Sequence, residues 1–282
     1  MISSPNPIPT DTGSQGWHAS LRIDLEKKED KTILSKTRRK GPLTIQQPLY
    51  AENGACHIYL LHPPGGLVGG DVLDLAVYAG ENTHTLLTTP GATKFYRSQG
   101  RRAVQTQTLT MAKGSVLEWF PQETILFEGA VGNLETTVHL TPDAVFMGWE
   151  ILCLGLPALK KTFAQGRLQS TVTLFNDATP LLFEKLKIEA KTDLCRPAGL
   201  RNQPVTATFW AYPVREQLFS QVQNQRHSYK ENFGMTFMDD LLVARYLGDH
   251  PGQAKEQFET LRQTLTPELT GRQAAVPRIW NT

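Results

Sequence analysis

Strand signals arrive at short, regular intervals along this chain, and that spacing constrains the fold more than any other feature. Leu21, Ile23 and Leu25 alternate with Arg22, Asp24 and Glu26, the period-two pattern of a strand with one wet face. Further strands are expected at 83–89, 103–111, 116–120, 124–127, 134–140, 145–154, 166–175, 181–188 and 205–212. Taken together they are enriched in Thr, Val and aromatic residues. Turn dipeptides separate them, among them Pro90-Gly91, Lys113-Gly114, Gly132-Asn133, Pro142-Asp143 and Asn176-Asp177. The stretch 105–110 is polar on both faces and predicts a solvated or partner-facing strand, whereas 149–154 is apolar on both faces and predicts a central one. Helical spacing enters late. Ala254, Phe258, Leu261 and Leu265 mark an amphipathic helix between Pro251-Gly252 and Pro267. The expected fold is mainly β, with many short strands in stacked or barrel-like sheets and a minor C-terminal α-helical part.

The densest motif is His62-Pro-Pro-Gly-Gly-Leu-Val-Gly-Gly-Asp71. Proline fixes φ near −65° and removes a donor, while glycine admits φ > 0. The run is therefore a shaped loop between two apolar strands, closed by an imidazole at one end and a carboxylate at the other. A second dense motif, 89–98, surrounds an aromatic pair with Lys94 and Arg97 and suits a protein contact.

Several chemistries fail against the residues present. The formal charge of +2 gives no electrostatic case for nucleic acid or a membrane surface, and no apolar run approaches a bilayer span. Residues 65–70 lack the Lys-Ser/Thr ending of a phosphate loop, and a strand follows where a helix N-terminus is needed. No Gly-x-Ser-x-Gly elbow occurs. Three scattered cysteines, Cys56, Cys153 and Cys195, fit a reducing compartment, with the cytoplasm as the expected location. His57 and His62 are five apart and would face opposite ways on one strand, so a tight metal cage is not expected. A transient stop for an ion at an imidazole or carboxylate stays open. Asp71 has an architectural alternative, capping its own turn. Glu118 and Glu150 lie in apolar strands, where each must either reach solvent or find a buried donor.

Taken in order, the motifs resemble the urease accessory protein family UreD (UreH). They are Gly41-Pro42-Leu43 with Leu49-Tyr50-Ala51-Glu52, the 62–71 loop, 88–98, 117–127, Gly148-Trp149-Glu150, Arg245-Tyr246-Leu247-Gly248 and Pro277-Arg278-Ile279-Trp280. Leu156 departs from the Arg expected after Gly155. The resemblance implies a non-enzymatic maturation factor with sheets stacked in a β-helix-like arrangement. It would work with UreF, with the GTPase UreG held through UreF, and with apo-urease. Nickel would pass through transiently, with no tightly bound cofactor, and Asp71, Glu52, Glu118, Glu150 and His62 are the metal-passage candidates. Residues 16–282 would form a single domain after a disordered extension at 1–15. The competing reading is an autonomous metal-dependent hydrolase on a β scaffold using His62, Asp71 and His84. The polar strand near Gln105 and the terminal Trp280 are expected contact regions.

Overall fold

The computed structural model describes residues 16–225 and 232–281; the extension at 1–15 lies outside them. The chain begins with a hairpin, β1 (His18–Lys28) and β2 (Lys31–Lys40). The short β3 (Thr44–Ile45) and β4 (Leu49–Tyr50) and then β5 (Cys56–Leu61) follow. Next come β6 (Val72–Ala79), β7 (His84–Thr88), β8 (Thr93–Phe95), β9 (Ala103–Met111), β10 (Val116–Trp119), β11 (Thr124–Leu126), β12 (Val131–Leu140) and β13 (Val145–Leu154). The last third holds β14 (Arg167–Asn176), β15 (Thr179–Glu189), β16 (Val205–Tyr212), α1 (Glu216–Asn224), β17 (Phe233–Met238), β18 (Leu241–Gly248) and α2 (Pro251–Thr270).

The strands coil as a β-solenoid. One sheet runs β15-β14-β12-β9-β6-β1-β2, and its four central pairings, β1 to β6 to β9 to β12 to β14, are parallel. The facing sheet runs β17-β18-β16-β13-β10-β7-β5-β3 and is parallel from β5 to β13. A narrow third side is made by β8, β11 and the end of β13. Successive coils put Val72, Val104, Asn133 and Gln169 in register, advances of 32, 29 and 36 residues. Unequal coils leave no fixed sequence period, although the architecture is repetitive.

Alternate residues sort into two cores. Leu117, Phe146, Leu152 and Trp210 face the solenoid interior, while Met147, Trp149, Ile151 and Phe209 face outward beneath α2. The α2 residues Ala254, Phe258, Leu261 and Leu265 are buried there, as their spacing predicts. The helix continues past the expected stop at Pro267 and ends at Gly271, whose φ of 67° supplies the left-handed cap. Trp280 is not a free contact residue. It packs on Trp149 at 5.4 Å, donates to Thr88 Oγ1 at 2.8 Å and lies under Lys255.

The strand at 105–110 also departs from expectation. It forms the middle of the first sheet, between β6 and β12, and Gln107 is buried. Thr106 and Thr108 face out and Gln105 and Gln107 face in, so both faces are polar because the interior beside them is a cavity.

Candidate functional site: a wet cavity inside the solenoid

The 62–71 loop is the corner that carries the chain from β5 to β6, and its glycines are needed for two separate reasons. Gly65 and Gly70 have φ of 76° and 98°, in the left-handed region. At Gly66 a Cβ would come within 2.4 Å of the Tyr96 ring, and at Gly69 within 2.7 Å of Ser98. Leu67 exchanges backbone hydrogen bonds with the next coil, donating to Lys94 O and accepting from Tyr96 N. The loop therefore completes the third side beside β8. Asp71 is 1% exposed and accepts from Val68 N at 2.8 Å and Trp17 N at 3.3 Å, so its carboxylate ties the turn to the start of β1. Asp71→Ala is expected to cost about 1–3 kcal/mol in urea unfolding, because the turn loses the buried carboxylate that holds two backbone donors.

His62 stacks on Trp17 at 5.3 Å and opens onto a cavity of about 60 Å³ between the sheets. That volume admits a few waters. Gln105, Gln107, Thr136, Glu150 and Trp210 share the lining, and Thr136 donates to Gln107 Oε1 at 2.5 Å. His62 Nε2, Gln105 Oε1 and Trp210 Nε1 are buried without a protein partner. Buried polar atoms are almost always hydrogen-bonded, so three orphans on one cavity mark a hydrated interior. A second chamber of about 20 Å³ adjoins the first, with Glu150 and Trp210 lining both.

Glu150 is the carboxylate of this cavity. Ser170 Oγ, from the opposite sheet, donates to it at 2.8 and 2.9 Å. Burial pushes its pKa up to about 7, Ser170 opposes that rise, and the nearby Glu184 charge adds to it. At neutral pH it is therefore poised between acid and carboxylate. His62 shifts the other way, its pKa lowered by burial against the pull of Asp71.

The remaining candidates lie elsewhere. Glu118 sits on the outer face of the second sheet, beneath α2 rather than in the cavity. Arg262, 0% exposed, donates from Nη1 to Glu118 at 3.1 Å and clasps Glu259 through Nε and Nη2 at 2.8 Å. His84 Nε2 stands 2.9 Å from the other Glu118 oxygen. Burial alone would raise the Glu118 pKa, but the His84 hydrogen bond and the Arg262 charge outweigh it and hold the group ionised. Arg262 and His57 are near neighbours of Glu118 on this outer face, a grouping that sequence spacing does not reveal because the three lie on separate elements. Glu52 is exposed, on a surface cleft with His57 and Arg278. The five residues expected to share a passage thus occupy four places, and only His62 and Glu150 of them line the cavity. The hydrolase grouping is not assembled: His84 is paired with Glu118 on the far side of the sheet from His62, and Asp71 caps its turn. Among the described residues, no three His, Cys, Asp or Glu side chains converge as a metal cage.

Burial lowers the His57 pKa to about 4. Its folded value lies below its unfolded value near 6.5, so its stabilisation is present above about pH 6.5 and is lost as pH falls toward 4. Chemical denaturation between pH 7 and 4.5 should show stability declining by roughly 2–3 kcal/mol from this group, and His57→Gln should flatten that slope.

Fold and site define a β-solenoid with a hydrated, carboxylate-bearing interior, and comparison with known proteins gives it a family. A family model described as UreD urease accessory protein matches residues 18–281. Urease accessory protein UreD of Alcanivorax borkumensis is 43% identical over 274 residues, 95% of this chain and 93% of that protein. The UreD proteins of Citrobacter koseri and Klebsiella aerogenes are each 38% identical, over 96% and 95% of this chain and 94% and 98% of their own lengths. The chain belongs to the UreD urease accessory protein family. No helix among the described residues is long and apolar enough to cross a membrane.

Proposed function

We propose that this protein is a scaffold in urease maturation that passes nickel, as cargo, through its solenoid interior to apo-urease. It works in a complex with UreF, which holds the GTPase UreG, and it catalyses no reaction of its own. One observation carries the reading: in a chain of this family, a cavity that sets His62, Gln105 and Glu150 among apolar side chains lies between the sheets and places Glu150 at the junction of its two chambers. Oxygen and imidazole ligands suit a partly hydrated divalent ion, and scattered ones release it more readily than a closed cage. Water held by His62, Gln105 and Trp210 would keep part of the ion's shell in place. His62 and Glu150 are the cavity residues that touch the cargo in this reading. Asp71 shapes the corner that holds His62, while Glu118 anchors α2.

The test is co-expression with UreF, UreG and the urease subunits, followed by isolation of the complex and measurement of nickel per urease active site. A stable complex, and nickel incorporation that depends on this chain, are expected. Failure to associate with UreF or urease overturns the reading.

A further inference from the structure

The second chamber is lined by one member of an ion pair, Glu184, whose partner is Arg245. Glu150, Thr208 and Arg245 are successive cross-strand neighbours on the inner face of the second sheet. Opposite them, on β15, Glu184 reaches across the gap and accepts from Arg245 Nη2 at 3.1 Å and from Nε at 3.4 Å. Those contacts occupy Glu184 Oε1. Oε2 is buried without a partner, on a residue that lines the chamber together with Glu150, Ser170 and Thr208. The Arg245 side chain is 48% exposed, and its register neighbour on β17 is Gly234, beside which space is open.

We infer that Arg245 and Glu184 form the closable outer mouth of the Glu150 chamber, with the guanidinium standing in for a cation that an incoming divalent ion displaces. This rests on the passage reading above. While Arg245 holds Glu184, one of two facing carboxylates is neutralised and the free space admits about one water. When Arg245 swings into solvent, both carboxylates face the same space, the charge a divalent ion requires. An ion pair this exposed contributes little to stability, so opening costs little. Glu184 is thereby a ligand shared between the latch and the cargo, and Arg245 is a positioning residue.

The test is thiol accessibility in the full chain. Cys195→Ser removes the exposed cysteine, leaving Cys56 and Cys153 buried. Val172→Cys then places a thiol on the chamber wall, in register with Glu184. Thr208→Cys reports from the facing sheet should the first variant pack poorly. Modification rates are measured with small cationic and anionic methanethiosulfonates. Arg245→Ala should speed the cationic reagent about tenfold, with little change for the anionic one, because an unneutralised carboxylate pair concentrates cations. Adding Glu184→Gln should erase that preference. Unchanged rates after Arg245→Ala overturn the proposal. So do rates that rise equally for both reagents, the mark of a plain staple between sheets. Nickel delivery is not read in this experiment, so failure of the mouth and failure of the passage are separable.

Discussion

Arg262→Met is expected to destabilise the fold by about 3–5 kcal/mol, seen as a lower urea midpoint at an unchanged m-value. The side chain is fully buried, and Met replaces its aliphatic stem but not the guanidinium, which lies over the Phe120 and Trp280 rings. What is lost is the guanidinium, which serves Glu118, Glu259 and the Ala275 carbonyl at once. Glu118, 1% exposed, is left with His84 as its remaining side-chain partner. An uncompensated buried carboxylate costs far more than the intact pair contributes. The double variant Glu118→Gln with Arg262→Met should therefore be less destabilised than the sum of the singles, a coupling that a double-mutant cycle measures. The pH dependence follows. With its folded pKa depressed, the stabilisation Glu118 gives in the native chain is present above its unfolded value near 4.5 and is lost as pH falls through the lower folded value. In Arg262→Met the folded pKa of Glu118 rises, so this acid-side loss should shrink. A single variant within 1 kcal/mol of the parent at pH 7 would show that the cluster does not anchor α2.

That cluster also shows where sequence reading stops. The helix was visible in four apolar residues, yet its buried stripe also contains Gln257, Arg262 and Thr266. Arg262 follows Phe258 by four and precedes Leu265 by three, so the period itself placed it inward; its charge alone argued for solvent. In the strands, alternation marked two faces but not what lay beyond each. Gln105 and Gln107 are equally polar toward solvent and toward an internal cavity, and only the closing of the solenoid tells the two apart. Glu150 and Glu118 present the same puzzle in sequence, a carboxylate in an apolar strand. Their opposite solutions come from parity, since Glu150 shares its face with Leu152 and Glu118 with the residues under α2. The glycine loop was legible as architecture because conformation and space are local demands. Spacing alone left stacked and barrel-like sheets both open, since advances of 32, 29 and 36 residues erase any period, and the family resemblance pointed to stacking.

Glu150→Gln is expected to abolish most nickel delivery while leaving the fold and its complexes intact. Gln matches the protonated carboxyl in size and still accepts from Ser170, and burial already favours the uncharged form. The sign of the pH effect separates function from stability. A raised folded pKa stabilises the protein fully below the unfolded value near 4.5, and that contribution is lost as pH climbs through about 7. The variant should thus be as stable as the parent at pH 4 and progressively more stable toward pH 8. Cargo transfer runs the other way. An ionised Glu150 is the form that attracts a cation, so transfer by the parent should rise between pH 6 and 8, and the variant should lack that rise. Nickel per active site in urease matured with either protein, set beside recovery of the intact complex, is the measurement. Full nickel occupancy with Glu150→Gln would remove this carboxylate from the route. Low occupancy with a dissolved complex would make it a structural residue instead. Low occupancy with the complex retained and the pH rise gone is the outcome that a buried carboxylate balanced near neutrality predicts.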